Sequence, residues 1–142
     1  MKKSFSFALA LALSLTLICC AATFDVEKSI EMLQEQGLTL STVYTTEREL
    51  TDGTALANSE IKLMGGDFTV ELKAYSSMIQ TGAPTKNCQF FTFATQEQAS
   101  AYADLYAASR RIGSAWRVAQ SGCVVVITNL DLVQEQIDLE FR

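Results

Sequence analysis

The side chains of this sequence best suited to chemistry are two thiols, those of Cys88 and Cys123. Each lies at the start of a segment predicted to be a β-strand, so the two could form a disulfide if the strands are neighbours in an oxidising compartment. The alternative is a pair of buried thiols, because cysteine in a core behaves as a small hydrophobe. The chain has no histidine, and therefore lacks the commonest general base and the commonest metal ligand.

Two further patterns could form sites. Ser59-Glu60-Ile61-Lys62 matches the Ser-x-x-Lys arrangement in which a lysine activates a serine, but the companion Ser-Asp-Asn and Lys-Thr-Gly elements are absent. Glu47, Glu49 and Asp52 offer oxygen ligands for a hard cation without the spacing of an EF-hand loop. We therefore predict no catalytic residue, no cofactor site and no metal site.

Three aromatic residues, Trp116, Tyr102 and Tyr106, could form an interaction surface, because aromatic side chains often anchor protein interfaces. Packing in the core is the competing role, and we expect it for at least two of the three.

The N-terminus has the order of a secretory signal peptide. Lys2 and Lys3 precede an apolar run, and small residues follow it up to Ala22. Three outcomes remain open for residues 1–22: cleavage after Ala21 or Ala22, lipidation at Cys20, or retention as an anchor. The lipobox is imperfect because Cys19 occupies the position before Cys20 that is usually Gly, Ala or Ser. In each case the chain is exported, and residues 23–142 form one domain.

The net charge of the chain argues against two classes of partner. The chain has 11 basic and 16 acidic residues, a net charge of −5. Without Lys2 and Lys3, nine basic residues face sixteen acidic ones, a net charge of −7. This balance argues against binding nucleic acid and against docking on an anionic membrane.

Hydrophobic periodicity predicts the elements that position these residues. In the first half of the chain, Asp25 caps a helix that ends at Gly37, and a strand follows from Leu38 to Thr46. Residues 47–58 are predicted to be a loop. A hairpin then follows, in which the Gly-Gly pair at 65–66 joins a strand through Ile61 and Leu63 to a strand through 68–72.

In the second half, a loop over 76–87 precedes a strand over 88–93 that is apolar on both faces, which indicates a central position. Thr95 begins a helix with Gln98 completing a capping box. Residues 116–119 and 123–128 form a hairpin around Ser121-Gly122. Leu130, Val133, Ile137 and Phe141 fit a C-terminal helix, with a strand as the alternative. The predicted order is α-β-β-β-β-α-β-β-α, an α+β fold whose antiparallel sheet, built from hairpins, carries its helices on one face.

The segment Phe91-Thr92-Phe93-Ala94-Thr95, the helix with Ala99 and Tyr102, and the hairpin from Trp116 to Thr128 together resemble small uncharacterised exported domains or lipoproteins of Gram-positive bacteria. The resemblance lies in the hydrophobic pattern and implies no catalytic residues.

These observations predict a non-enzymatic binding or structural module of the cell envelope or extracellular space, secreted or tethered to the outer face of the membrane. Its partner would be a protein or an envelope component. The alternative function is a small extracytoplasmic enzyme or thiol-redox protein that uses Cys88 and Cys123.

Overall fold

The structure, a computed structural model, describes residues 24–109 and 115–130. This part of the chain contains three helices and five strands. In chain order they are α1 (Val26–Glu35), β1 (Leu38–Val43), α2 (Glu47–Leu63), β2 (Leu72–Gln80), β3 (Ala83–Phe93), α3 (Gln96–Ala108), β4 (Arg117–Ser121) and β5 (Val124–Thr128). The predicted signal peptide with Cys20, and the predicted C-terminal helix beyond Leu130, lie outside the described residues.

The five strands form one sheet in the order β1-β2-β3-β5-β4, and every neighbouring pair is antiparallel. The α+β class and the antiparallel sheet are therefore confirmed. The hairpin of β4 and β5 is also confirmed, with Gly122 in its turn at a φ of 56°. As expected from their apolar faces, β3 is the middle strand and β5 is enclosed between β3 and β4.

The expectation that all helices pack on one face of the sheet is wrong. Residues of the central strands alternate between two hydrophobic clusters, with Phe90 and Val126 in one and Phe91 and Val125 in the other. Leu33 of α1 belongs to the first cluster, whereas α2 and α3 supply residues to the second. The reason is that a strand apolar on both faces needs cover on both sides.

Helix α2 replaces the predicted loop over 47–58 and the predicted strand through Ile61 and Leu63. Its N-terminus has a complete capping box between Thr46 and Glu49, a pattern that was present in the sequence. The predicted order therefore changes after β1, where a helix stands in place of a loop and a strand.

Gly65 and Gly66 end α2 and do not form the turn of a hairpin. Gly65 adopts a φ of 86°, a conformation that glycine reaches without steric cost. Its N–H donates to the carbonyl of Lys62 at 3.1 Å, and the N–H of Gly66 donates to that of Ile61 at 2.8 Å. This pair of hydrogen bonds is the Schellman motif of a helix C-terminus.

The predicted loop over 76–87 is wrong, because this segment holds most of the β2–β3 hairpin. The pairing between the two strands jumps from Gln80↔Ala83 to Ile79↔Asn87. Pro84 lies within this irregularity, where its missing N–H costs no ladder hydrogen bond.

The predicted N-cap residues of α1 and α3 are confirmed, whereas the capping box predicted for α3 is incomplete. Asp25 caps α1 by accepting from the N–H of Lys28 at 3.1 Å. Thr95 caps α3 by accepting from the N–H of Gln98 at 3.2 Å. The side chain of Gln98 accepts from the N–H of Glu71, so this contact ties α3 to the segment before β2. Within the described residues, no helix combines the length and apolar character that a bilayer span requires.

Candidate functional site: a tyrosine pocket with one carboxylate

A pocket opens between α2 and the face of the sheet that α2 covers. We call it the tyrosine pocket, and its lining residues are Tyr44, Gly53, Leu56, Ala57, Glu60, Leu72, Tyr75, Gln89 and Phe91. Its volume is about 60 Å³. One water needs roughly 10–15 Å³ on this measure, so the pocket accommodates a few waters or the end of a side chain. This is well below the roughly 300–1,000 Å³ of a pocket that takes a whole small molecule.

The helix side of the pocket depends on small residues. Gly53 and Ala57 are buried and lie one helical turn apart on α2. A Cβ atom on Gly53 would come within 2.4 Å of Cε2 of Tyr44. A glycine inside a helix costs about 1 kcal/mol relative to alanine, and here it makes room for the Tyr44 ring to lie against the helix backbone.

The sheet side of the pocket depends on strand register. Tyr75 of β2 pairs with Phe91 of β3, so their side chains share one face. The N–H of Tyr44, just after β1, donates to the carbonyl of Tyr75. The ring centroids of Tyr44 and Tyr75 are 4.7 Å apart, and those of Tyr75 and Phe91 are 5.0 Å apart.

The same aromatic cluster continues beneath α2 towards α3. Phe91 contacts Tyr102 at a centroid distance of 5.5 Å, and Tyr102 contacts Tyr106 at 5.6 Å. The hydroxyl of Tyr102 donates to Oε2 of Glu60 at 3.3 Å. This hydrogen bond links α3 to the charged residue of the pocket.

The polar atoms of the pocket are held by hydrogen bonds. The hydroxyl of Tyr75 donates to Oε1 of Gln89 at 3.2 Å, and Nε2 of Gln89 donates to Oδ1 of Asn87 at 3.4 Å. Glu60 is half-buried and is the only charged residue among the described residues that line the pocket. The pocket therefore has a fixed polar wall and a net negative charge.

Burial raises the pKa of Tyr75, Tyr102 and Tyr106, and the negative charge of Glu60 acts in the same direction on each. A hydrogen bond with Ser77 partly offsets the rise at Tyr75. All three hydroxyls stay protonated at neutral pH and act there as hydrogen-bonding groups.

The structure places the two candidate thiols far apart. Cys88 pairs with Thr128 at one end of the β3–β5 ladder, whereas the carbonyl of Cys123 accepts from the N–H of Phe93 at the other end. Five residue steps of strand separate these points, about 16 Å, and a disulfide needs Cα atoms within about 7 Å. Of the two alternatives, the geometry therefore favours buried thiols over a disulfide, because the starts of antiparallel neighbours lie at opposite ends of the ladder.

Both cysteines are buried thiols. Burial raises the pKa of Cys88 to about 12, against a hydrogen bond with Thr128 that lowers it. Since the thiolate is the reactive form of cysteine, Cys88 is unsuited to nucleophilic or redox chemistry.

The predicted aromatic surface is wrong for Tyr102, which is fully buried. Tyr106 and Trp116 are half-buried and pack against the same cluster as Tyr102. Core packing is therefore the main role of all three, although the hydroxyl of Tyr102 reaches the tyrosine pocket through Glu60.

The other sequence patterns have structural roles. Ser59 is on α2, where its hydroxyl donates to the carbonyl of Ala55 at 2.9 Å. Glu49 completes the cap of α2, and backbone N–H groups of Thr45 and Thr46 lower its pKa. The described part of the chain contains no group of three or more acidic or cysteine side chains placed to hold a metal ion.

The sequence did not indicate that Tyr44, Glu60 and Tyr75 belong to one site. A usable signal was the helical spacing of Gly53, Ala57 and Ile61, which share the buried face of α2 and place Glu60 beside it. Comparison of the chain with known protein families, curated proteins and solved structures found no match.

Proposed function

We propose that this chain is a non-enzymatic binding module that works outside the cytoplasm, either secreted or tethered at the cell envelope. The tyrosine pocket is its contact site for a partner. The observation that carries this proposal is a preformed pocket in which aromatic rings surround a single carboxylate.

The chemistry of the described residues favours binding over catalysis. The thiol of Cys88 and the hydroxyls of Tyr75, Tyr102 and Tyr106 all have raised pKa values, so none is poised for proton transfer or attack near neutral pH. The proposal of an extracytoplasmic location rests on the order of basic, apolar and small residues in the leader.

The size of the pocket favours a macromolecular partner. A pocket of about 60 Å³ accepts one protruding group, so most of the binding free energy must come from surfaces around it. Leu56 lies at the rim of the pocket and is 58% exposed. It provides apolar area next to the pocket that a protein or envelope component would cover.

The experiment compares capture of partners from envelope and extracellular fractions by three immobilised proteins: the native sequence, Leu56→Trp and Leu63→Trp. The first substitution places a bulky ring at the pocket rim. The second adds the same ring to the same helix at a residue that is 68% exposed and outside the pocket lining.

We expect the native protein and Leu63→Trp to retain the same partner, and Leu56→Trp to lose it. Equal retention by Leu56→Trp would show that the pocket is not the contact site. If the native protein retains no partner from either fraction, the binding proposal is wrong.

A further inference from the structure

We propose that the tyrosine pocket takes a primary ammonium group, such as the end of a lysine side chain presented by the partner. This inference rests on the proposed function, because it names the chemical group that the pocket recognises.

The first argument is charge. Glu60 forms no salt bridge with any residue of the described part of the chain. Its Oε2 accepts from Tyr102, and its Oε1 accepts no hydrogen bond from the described residues. None of the described residues that line the pocket is positively charged. A cation that reaches Oε1 would pair with this carboxylate, whereas an anion would be repelled by it.

The second argument is the direction of the hydrogen bonds. The one hydroxyl proton of Tyr75 is donated to Gln89, and that of Tyr102 to Glu60. The oxygen of Tyr75 also has a hydrogen bond with Ser77, so the acceptors with lone pairs to spare are the carboxylate of Glu60 and Oε1 of Gln89. An ammonium group has three N–H donors and no acceptor, so it fits a wall made of acceptors better than a carbonyl or carboxylate does.

The aromatic lining of the pocket also favours a cation. Tyr44, Tyr75 and Phe91 bring three rings to a small volume. Aromatic π systems attract cations, and the attraction grows when the cation is withdrawn from water. The rings also bury the apolar methylene next to the ammonium nitrogen.

The fourth argument is size. The pocket, of about 60 Å³, admits a small terminal group such as an ammonium with its adjacent methylene. A quaternary ammonium is bulkier at the nitrogen and has no N–H donor for the acceptors of the pocket. Size and hydrogen bonding therefore both favour a primary amine.

The test is a titration followed by two-dimensional ¹H–¹⁵N NMR, with the backbone amide of Gly53 and the side-chain amide of Gln89 as reporters. The probes are n-butylammonium, which has the length of a lysine side chain, the neutral n-butanol, and tetramethylammonium. For a ligand of this size we expect n-butylammonium to bind with a Kd of about 1–10 mM. The two other probes should bind at least about tenfold more weakly, because each lacks either the charge or the N–H donors.

Two variants test the role of the carboxylate. Glu60→Gln keeps an acceptor for Tyr102 and removes the charge, so it should weaken n-butylammonium binding by at least about tenfold. Glu97→Gln removes a charge from the exposed first turn of α3 and is the matched control, with an expected change below about twofold.

The inference is overturned if n-butylammonium leaves both reporters unshifted up to about 100 mM, if n-butanol binds as tightly, or if Glu60→Gln binds like the native protein. Its failure is separable from that of the proposed function. Suppose that Leu56→Trp loses the partner but the native protein does not bind n-butylammonium. The pocket would then still be the contact site, and only its recognition of an ammonium group would be wrong.

Discussion

The thiol of Cys88 should make the stability of this protein depend on alkaline pH. Cys88 is fully buried, and burial raises the pKa of its thiol from 9.0 to about 12 in the folded chain. In the unfolded chain the thiol ionises near its ordinary pKa. The free energy of unfolding therefore has its full value at pH values where the thiol is protonated in both states. It decreases as the pH rises from about 9 towards about 12.

The magnitude follows from the difference between the two pKa values. Above a pH of about 9, each further pH unit costs the native state about 1.4 kcal/mol, so at about pH 11 the loss is about 3 kcal/mol. Cys88→Ala removes this loss and leaves a small cavity that costs about 1 kcal/mol at all pH values. The variant should thus be less stable than the native protein at neutral pH and more stable above a pH of about 10.

The assay is urea unfolding followed by far-ultraviolet circular dichroism, with a phosphine reductant, at a series of pH values from neutral to about 11. Val126→Ala is the control, because Val126 is buried in the same cluster as Cys88 and does not ionise. Its difference from the native protein should be independent of pH. A constant difference between Cys88→Ala and the native protein across the series would refute the argument.

Three further substitutions test the elements around the site. Thr46→Ala removes half of the capping box of α2 and should lower the unfolding free energy by about 1 kcal/mol in urea titrations; an unchanged midpoint would contradict this. Gly66→Ala puts a Cβ within 2.7 Å of Leu105 and should cost about 1–3 kcal/mol, seen as a lower Tm. Gly53→Ala gains about 1 kcal/mol of helix propensity but displaces Tyr44, so stability should change little while binding of n-butylammonium weakens; unchanged binding would show that the Tyr44 ring does not shape the pocket.

The sequence predicted best those parts of the fold that have long apolar runs. The inner positions of β3 and β5 followed from their lack of a polar face, and the β4–β5 hairpin followed from the Ser121-Gly122 turn before the apolar run of β5. Helix α2 was missed because its buried positions are occupied partly by Gly53 and Ala57. Small residues in a close-packed contact do not register as hydrophobic periodicity, and Asp52-Gly53 has the composition of a turn.

The candidate site could not be predicted for a related reason. Tyr44, Glu60 and Tyr75 come from three separate elements, and only the register of β2 with β3 and the placement of α2 bring them together. The choice between a disulfide and two buried thiols was open for the same reason, since the sequence does not show in which direction the strands that hold Cys88 and Cys123 run. Local pattern bears on single elements, whereas this site depends on contacts between distant parts of the chain.

The alternation of β3 and β5 between two clusters gives the domain two layers that can be altered separately. Phe90 packs with α1, and its neighbour Phe91 lines the tyrosine pocket on the other side of the sheet. An engineer could therefore stabilise the domain by redesigning the α1 layer while keeping the residues of the pocket, or refit the pocket to another ligand against an unchanged α1 layer.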